Sequence, residues 1–286
     1  MTKVSKKVRR WVPVASAVCA VVFAVVMMFV WPDAGVFANE IMLVALLIFS
    51  IPSAVVEFLH ARWINAIEDQ MPVFVRGISE VQQTGLTFIK AFEKVVEDKM
   101  VKSPLADEVK KFIVHMSWGL SFEDALEKFK ERVEAPSVDR FCALVFEANR
   151  SGGQVRKVFT STAGFMEQMR EMERETTSQM RPYLVIIYAA FFVFLFTSII
   201  LLGSFFIPLE GYGDMISPTA TVSSAAYNDF FYRTMIISAL MGGLMAGKIG
   251  ERRVSGGLKH FIVQVVVGYV IFYVTIPPVW AGGAVV

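Results

Sequence analysis

Charge is scarce in this 286-residue chain, and long stretches have none. Only 19% of residues are Asp, Glu, Lys or Arg, against about 25% in an ordinary soluble domain. The deficit is segregated. Arg10 and Asp33 enclose 22 uncharged residues, Arg181 and Glu210 enclose 28, and nothing after His260 carries charge. Cysteine is nearly absent as well: Cys19 and Cys142 lie far apart, which excludes a disulfide framework or a CxxC site. The three histidines (His60, His115 and His260) have no Cys or carboxylate partners at ligand spacing, so no metal centre and no cofactor is expected.

What is there in quantity is apolar. Hydrophobic residues make up 55% of the chain, and a helix needs about 20 of them in a row to cross the roughly 30 Å hydrocarbon layer. Spans are expected at 11–31, 39–59, 183–207, 230–249 and 261–280. The second carries Pro52 and ends near Glu57, and the fourth holds Arg233 and Lys248 at its ends, where long basic side chains reach the headgroups. The basic opening "MTKVSKKVRRW" resembles the start of a signal peptide. The apolar run behind it is too long, however, and no small-residue cleavage site precedes "WPDAG", so the first span is read as retained.

Lys/Arg bias orients these spans. Residues 1–10 carry Lys3, Lys6, Lys7, Arg9 and Arg10 without an acid, and the 248–260 turn carries Lys248, Arg252, Arg253 and Lys259 against Glu251. The 32–40 and 208–229 loops hold only acids: Asp33, Glu40, Glu210, Asp214 and Asp229. Five spans then place the N-terminus and residues 60–181 in the cytoplasm and the C-terminus outside. The expected fold is all-α: a polytopic membrane protein with about five transmembrane helices and one cytoplasmic six-helix bundle. Its parts are 1–59 with two spans, 60–181 as the antiparallel bundle, and 182–286 with three spans.

The 60–181 segment holds 18 Lys/Arg against 19 Asp/Glu, which leaves no basic footprint for nucleic acid. Its apolar residues recur at helical spacing. The stripes are Met71, Phe74, Ile78 and Val81; then Phe88, Phe92 and Val95; then Leu105, Val109 and Ile113. Phe122, Leu126 and Phe129 follow, then Val138, Phe141 and Val145, and last Val155, Val158, Phe159, Thr162, Phe165 and Met169. The punctuation predicts N-caps at Thr87, Ser103 (with Pro104 at the first helical position), Ser121 and Ser137. Asp124, three residues after Ser121, suggests a near capping box. Helix stops fall at Gly85, Gly119 and Gly152–Gly153. If neighbours alternate up and down, these three glycine turns share one apex with Trp118, Arg150, Arg156 and Lys157. An aromatic among arginines there suits partner docking, although Trp118 could equally be core.

Three blocks in order carry a resemblance: "QMPVFVRGISEVQQTGLTFIKAFEKV" (70–95), "GLSFEDALEKF" (119–129) and "FEANRSGGQVRKVF" (146–159). They resemble the type II secretion system F family, the platform proteins of type II secretion, type IV pilus, tight-adherence pilus and archaellum machines. Gly85, Gly119 with Ala125–Leu126, and Gly152–Gly153 fill the family's turn positions. "AGKIGERRVSGGLKH" (246–260) is similar to the turn between the last two spans of archaeal members. The resemblance implies a non-enzymatic scaffold in the cytoplasmic membrane. It would dock a hexameric secretion ATPase through its cytoplasmic helices and couple that motion to pilin-like subunits. Many members carry two copies of the bundle. A single copy implies a homodimer or pairing with a paralogous platform protein.

Two other readings compete. A permease-like subunit of an ATPase-coupled transporter would need a polar or broken path through the spans, and Arg233, Glu57, Gln264 and Pro52 are few and mostly near span ends. A nucleotide-hydrolysing enzyme would be signalled by "GGLMAGKIGERR" (242–253), one residue short of a P-loop. Ile249 stands where that motif needs a hydroxyl, and an apolar helix-length run precedes the glycines instead of a strand. Ala239, Gly243 and Gly247 repeat every four residues, as do Gly242, Ala246 and Gly250. That is small-xxx-small spacing for close packing of membrane helices.

Overall fold

The computed structural model describes residues 3–30, 38–150, 155–208 and 224–275. Among these residues the chain is helix and turn, without strand. The helices are α1 Lys6–Val30, α2 Ala38–Glu68, α3 Met71–Gln83, α4 Phe88–Glu97, α5 Leu105–Ser117, α6 Phe122–Val133, α7 Pro136–Arg150, α8 Val155–Leu201, α9 Ser224–Glu251 and α10 Gly257–Thr275. A π-helical turn, Leu202–Phe206, extends α8, and a 3-10 turn, Val254–Gly256, precedes α10. Five helical stretches are long and apolar enough to cross a membrane, and they fall at the five places the sequence indicates. Contacts divide the chain into two units: 1–4 with 59–176, and 5–58 with 177–286.

In the first unit α3–α7, the end of α2 and the start of α8 surround one core. Phe92 is its hub, with ring centroids 5.3 Å from Phe74, 5.0 Å from Phe112, 6.4 Å from Phe122 and 6.2 Å from Phe141. Tilted and edge-on rings at these separations add to the burial energy of each side chain. Met71, Ile78, Leu105, Val109, Leu126 and Phe129 complete the interior, all buried. The last apolar stripe differs from expectation at Phe165; the side chains of Val155, Val158 and Phe159 lie outside the described residues. Thr162, Ala163 and Met166 form the buried face of α8, while Phe165 is 53% exposed. On the same helix Arg170 is held to Asp69 at 2.9 Å and Glu167 pairs with Arg76.

Helix ends follow the cap chemistry in part. Ser121 caps α6, its Oγ accepting the Asp124 N–H at 3.1 Å and donating to the Asp124 carboxylate at 2.6 Å. Ser121→Ala is expected to cost about 1 kcal/mol, readable as a lowered thermal midpoint of the full chain. Thr87 occupies the α4 cap position, but its side chain makes no capping bond. Two assignments shift by a residue or two. Pro104, not Ser103, is the α5 cap, because Ser103 Oγ donates to the Asp107 carboxylate at 2.6 Å. Ser137 lies inside α7, which begins at Pro136, and its N–H goes to Glu68 Oε1 at 3.0 Å.

The second unit packs α2, α8, α9 and α10 around Leu43, Phe191, Leu195, Met235, Ile236, Phe261, Val265 and Phe272. Its outward residues are as apolar as its core: Val193 and Phe196 are each 66% exposed and Val274 76%. A surface of that composition suits lipid and not water. Ser16 of α1 meets Ser53 of α2, Oγ to Oγ, at 3.3 Å.

Candidate docking surface and membrane seam

Three long-range bonds gather at one end of the first unit. Gln70 Oε1 accepts the Lys102 N–H at 2.5 Å, Glu68 accepts from Ser137, and Lys3 Nζ is 3.0 Å from Glu134 Oε1. The 98–104 and 134–137 connections therefore meet at the α2–α3 junction. The Gly85 and Gly119 turns lie one helix length away, at the other end. Both glycines have positive φ, +83° and +89°. Side chains with a β-carbon rarely adopt that conformation, and here it lets each helix reverse within four residues.

At the Gly119 turn the chain cannot turn Trp118 inward. The indole is 75% exposed, with Val114 one turn back at 44%, so its place is surface and not core. The His115 ring lies 6.2 Å from it. Behind the ring is an ion cluster centred on the buried Glu108. Glu108 bonds Lys111 at 2.7 Å and Arg132 Nε at 3.0 Å, and Arg132 Nη1 lies 3.1 Å from His115 Nδ1. Arginine has no acceptor, so Nδ1 must accept and the ring is neutral with its proton on Nε2. Burial, then the charges of Arg132 and Lys128, hold His115 below the usual histidine range. Leu86 and Ile89 at the Gly85 turn add exposed apolar surface. Arg150 ends α7, and Arg156 and Lys157 open α8. Their side chains, and Gly152–Gly153 altogether, lie outside the described residues. No group of three metal-binding side chains occurs among the described residues. Cys142 is buried, and its thiol is pushed up to about 12, which leaves it inert.

In the second unit, α9 and α10 meet backbone to backbone. A Cβ on Gly243 would lie 2.6 Å from Phe261 N, and one on Gly247 would lie 2.0 Å from Gly257 N. Ala239 and Ala246 are fully buried. Gly242 and Gly250 face side chains instead, the Gln264 amide at 3.0 Å and Leu184 at 3.1 Å from the added carbon. Lys248 and Ile249 are part of the α9 helix, which runs on to Glu251, so these glycines form a helix seam and not a phosphate loop.

The family profile for type II secretion system (T2SS), protein F, matches residues 74–203. The chain carries a type II secretion system protein F domain. This protein F domain begins in α3 and ends in the π turn after α8, so it holds the Phe92 core, the Gly85 and Gly119 turns and the exposed Trp118. The glycine seam of α9 and α10 lies C-terminal to it. Protein F family members are membrane platform proteins of secretion machines rather than enzymes. With five helices long and apolar enough to cross a bilayer, the chain is a multi-pass membrane protein. It is 24% identical over 234 residues to an uncharacterized protein of Methanocaldococcus jannaschii, with 82% of this chain aligned. The chain spans 38% of the length of that relative. No solved structure matches it.

Sequence reasoning missed the Glu108–Arg132–His115 cluster. The i, i+3 spacing of Glu108 and Lys111 was a local signal for half of it. The tertiary partner Arg132, 24 residues on, had none.

Proposed function

We propose that this chain is the platform protein of a type IV pilus-like, archaellum or type II secretion machine in the cytoplasmic membrane. Residues 60–181 form its cytoplasmic helical bundle and dock a hexameric secretion ATPase. The 182–286 spans engage pilin-like subunits, and the C-terminus lies outside. The observation that carries this reading is the protein F match over 74–203, which covers the bundle helices together with α8. α8 is one unbroken helix from Val155 to Leu201. Its first half is charged and its second half is an uncharged run, so one continuous helix, with Pro182 inside it, links the charged segment to the apolar one. A single bundle copy favours a homodimer or a paired paralogue.

The docking surface proposed is the turn end of the bundle: Trp118 with Arg150, Arg156 and Lys157, presented by the Gly85, Gly119 and Gly152–Gly153 turns. Large aromatics and arginines carry most interface energy, at about 2 kcal/mol or more each. Trp118→Ala is expected to weaken ATPase co-purification about tenfold to thirtyfold while helicity is unchanged. Deleting 60–181 should abolish it. Retention of the ATPase by the deletion variant would refute the docking reading.

A further inference from the structure

We propose that the turn between α9 and α10, with the foot of α1, binds the headgroups of anionic phospholipids on one face of the membrane. The contacts of the second unit fix which residues share that face. Ser16 against Ser53 sets α1 beside α2. From that level α1 runs back to Arg10, Arg9, Lys7 and Lys6, all exposed, while α2 runs on to Glu57 and Phe58. Glu57 Oε1 accepts from Ser255 Oγ at 2.8 Å, and Lys259 Nζ sits 5.9 Å from the Phe58 ring centre. The α9–α10 turn therefore lies at the level of the α1 foot.

Charge on this face is unbalanced. Its two nearby carboxylates are engaged, Glu251 by Lys259 and Glu57 by Ser255. Lys248, Arg252 and Arg253 are exposed and make no ion pair among the described residues. The other end of the same helices has no such surplus, because Asn39 links Asp229 at 2.6 Å to Arg233 at 3.0 Å.

The turn's shape suits a phosphodiester in a bilayer. Arg252 holds a positive φ of +57°, a conformation that a non-glycine residue keeps only where neighbours enforce it. Here Glu251 is tied on one side and Ser255 on the other. Two adjacent guanidiniums offer bidentate donors to phosphate oxygens. Val254, next in the chain and 51% exposed, supplies an apolar side chain for the acyl boundary. An acidic protein segment would meet the same charges, but charges at the end of a membrane span face lipid headgroups first.

The test uses the full chain in a neutral detergent, titrated with phosphatidylglycerol or phosphatidylcholine, with bound lipid counted by native mass spectrometry. Phosphatidylglycerol is expected to bind at least tenfold more tightly, and less so as salt rises. K248Q/R252Q/R253Q should lose about fivefold per residue, on the order of a hundredfold in all. K248R/R252K/R253K should retain most of the binding. Equal binding of both lipids by the unaltered chain would overturn the proposal, and that readout needs no variant to fold. So would undiminished phosphatidylglycerol binding by the glutamine variant. Displacement of the lipid by millimolar inorganic phosphate, or by a soluble acidic peptide, would overturn it in favour of a free-anion or protein site.

Discussion

Gly247→Ala is expected to destabilise the second unit by more than about 3 kcal/mol, beyond the common range for overpacking. The added carbon would sit 2.0 Å from the Gly257 nitrogen, and backbone cannot rotate out of the way. Ordinary contact begins at 3.4 Å, so α9 and α10 must separate along their whole seam or the helix must bend. Gly243→Ala, at 2.6 Å from Phe261 N, should follow closely. Gly242→Ala and Gly250→Ala meet the far ends of Gln264 and Leu184, which can shift, and should cost about 1 kcal/mol or less. Gly164→Ala has nothing within 4 Å on the side of α8. It should be neutral or stabilise by about 0.5–1 kcal/mol through helix propensity. Thermal unfolding of the detergent-solubilised chain gives the order directly. A Gly247→Ala midpoint equal to that of the unaltered chain would show that the two backbones do not touch.

The seam also shows how far local pattern reaches. The four-residue spacing of Ala239, Gly243 and Gly247 and of Gly242, Ala246 and Gly250 marks α9 as a helix built for close approach. Spacing alone makes the two faces equivalent. Only the register of α10, which sets Phe261 and Gly257 against Gly243 and Gly247, together with the side chains of Gln264 and of Leu184 in α8, makes one face a backbone contact and the other a side-chain contact. The spans were legible for a similar reason. Some 20 uncharged residues in sequence admit few structures in lipid other than a helix.

Helix boundaries in the first unit were legible where the cap is local and not where a distant group competes. Ser121 and Asp124 satisfy each other within one turn, so the sequence contains both partners. Ser137 has the right chemistry for a cap, yet Glu68, 69 residues earlier, takes its N–H and lets α7 begin two residues sooner. Phe165 fits the apolar period of α8, but the buried face there is Thr162, Ala163 and Met166, and Phe165 lies outside it. Trp118 is the reverse case. Its residue type left core and surface open, and only the positive φ of Gly119 and the filled core around Phe112 and Phe122 leave it outside.

Arg132→Ala is expected to cost the first unit about 1–3 kcal/mol at neutral pH, the usual penalty for removing one hydrogen-bond partner of a buried charged group. Glu108 has a side chain only 8% exposed, and Lys111, its remaining partner, is 57% exposed. Burial pushes the Glu108 carboxyl up. The hydrogen bonds and charges of Lys111 and Arg132 outweigh that and hold it below the usual carboxylate value of 4.5. A depressed carboxylate stabilises fully above its unfolded value, and the contribution is lost as pH falls through the folded one. His115 adds a second step of the same sign. It is held below 6.5 by burial, Arg132 and Lys128, so the unfolded chain takes up the proton first and stability declines as pH drops below about 6.5. Removing Arg132 withdraws the cation from both groups. His115 then moves up toward its ordinary value and the decline below about pH 6.5 flattens, while Glu108 also moves up and its own decline, which starts near the unfolded value of 4.5, flattens as well. Thermal midpoints of the full chain and of Arg132→Ala, measured from pH 7.5 to 4, separate the two steps. Parallel curves for the two proteins across that range would show that Arg132 acts on neither group. Arg132→Lys keeps a charge but not the fork that reaches Glu108 and His115 together, and it should restore less than half of the lost stability.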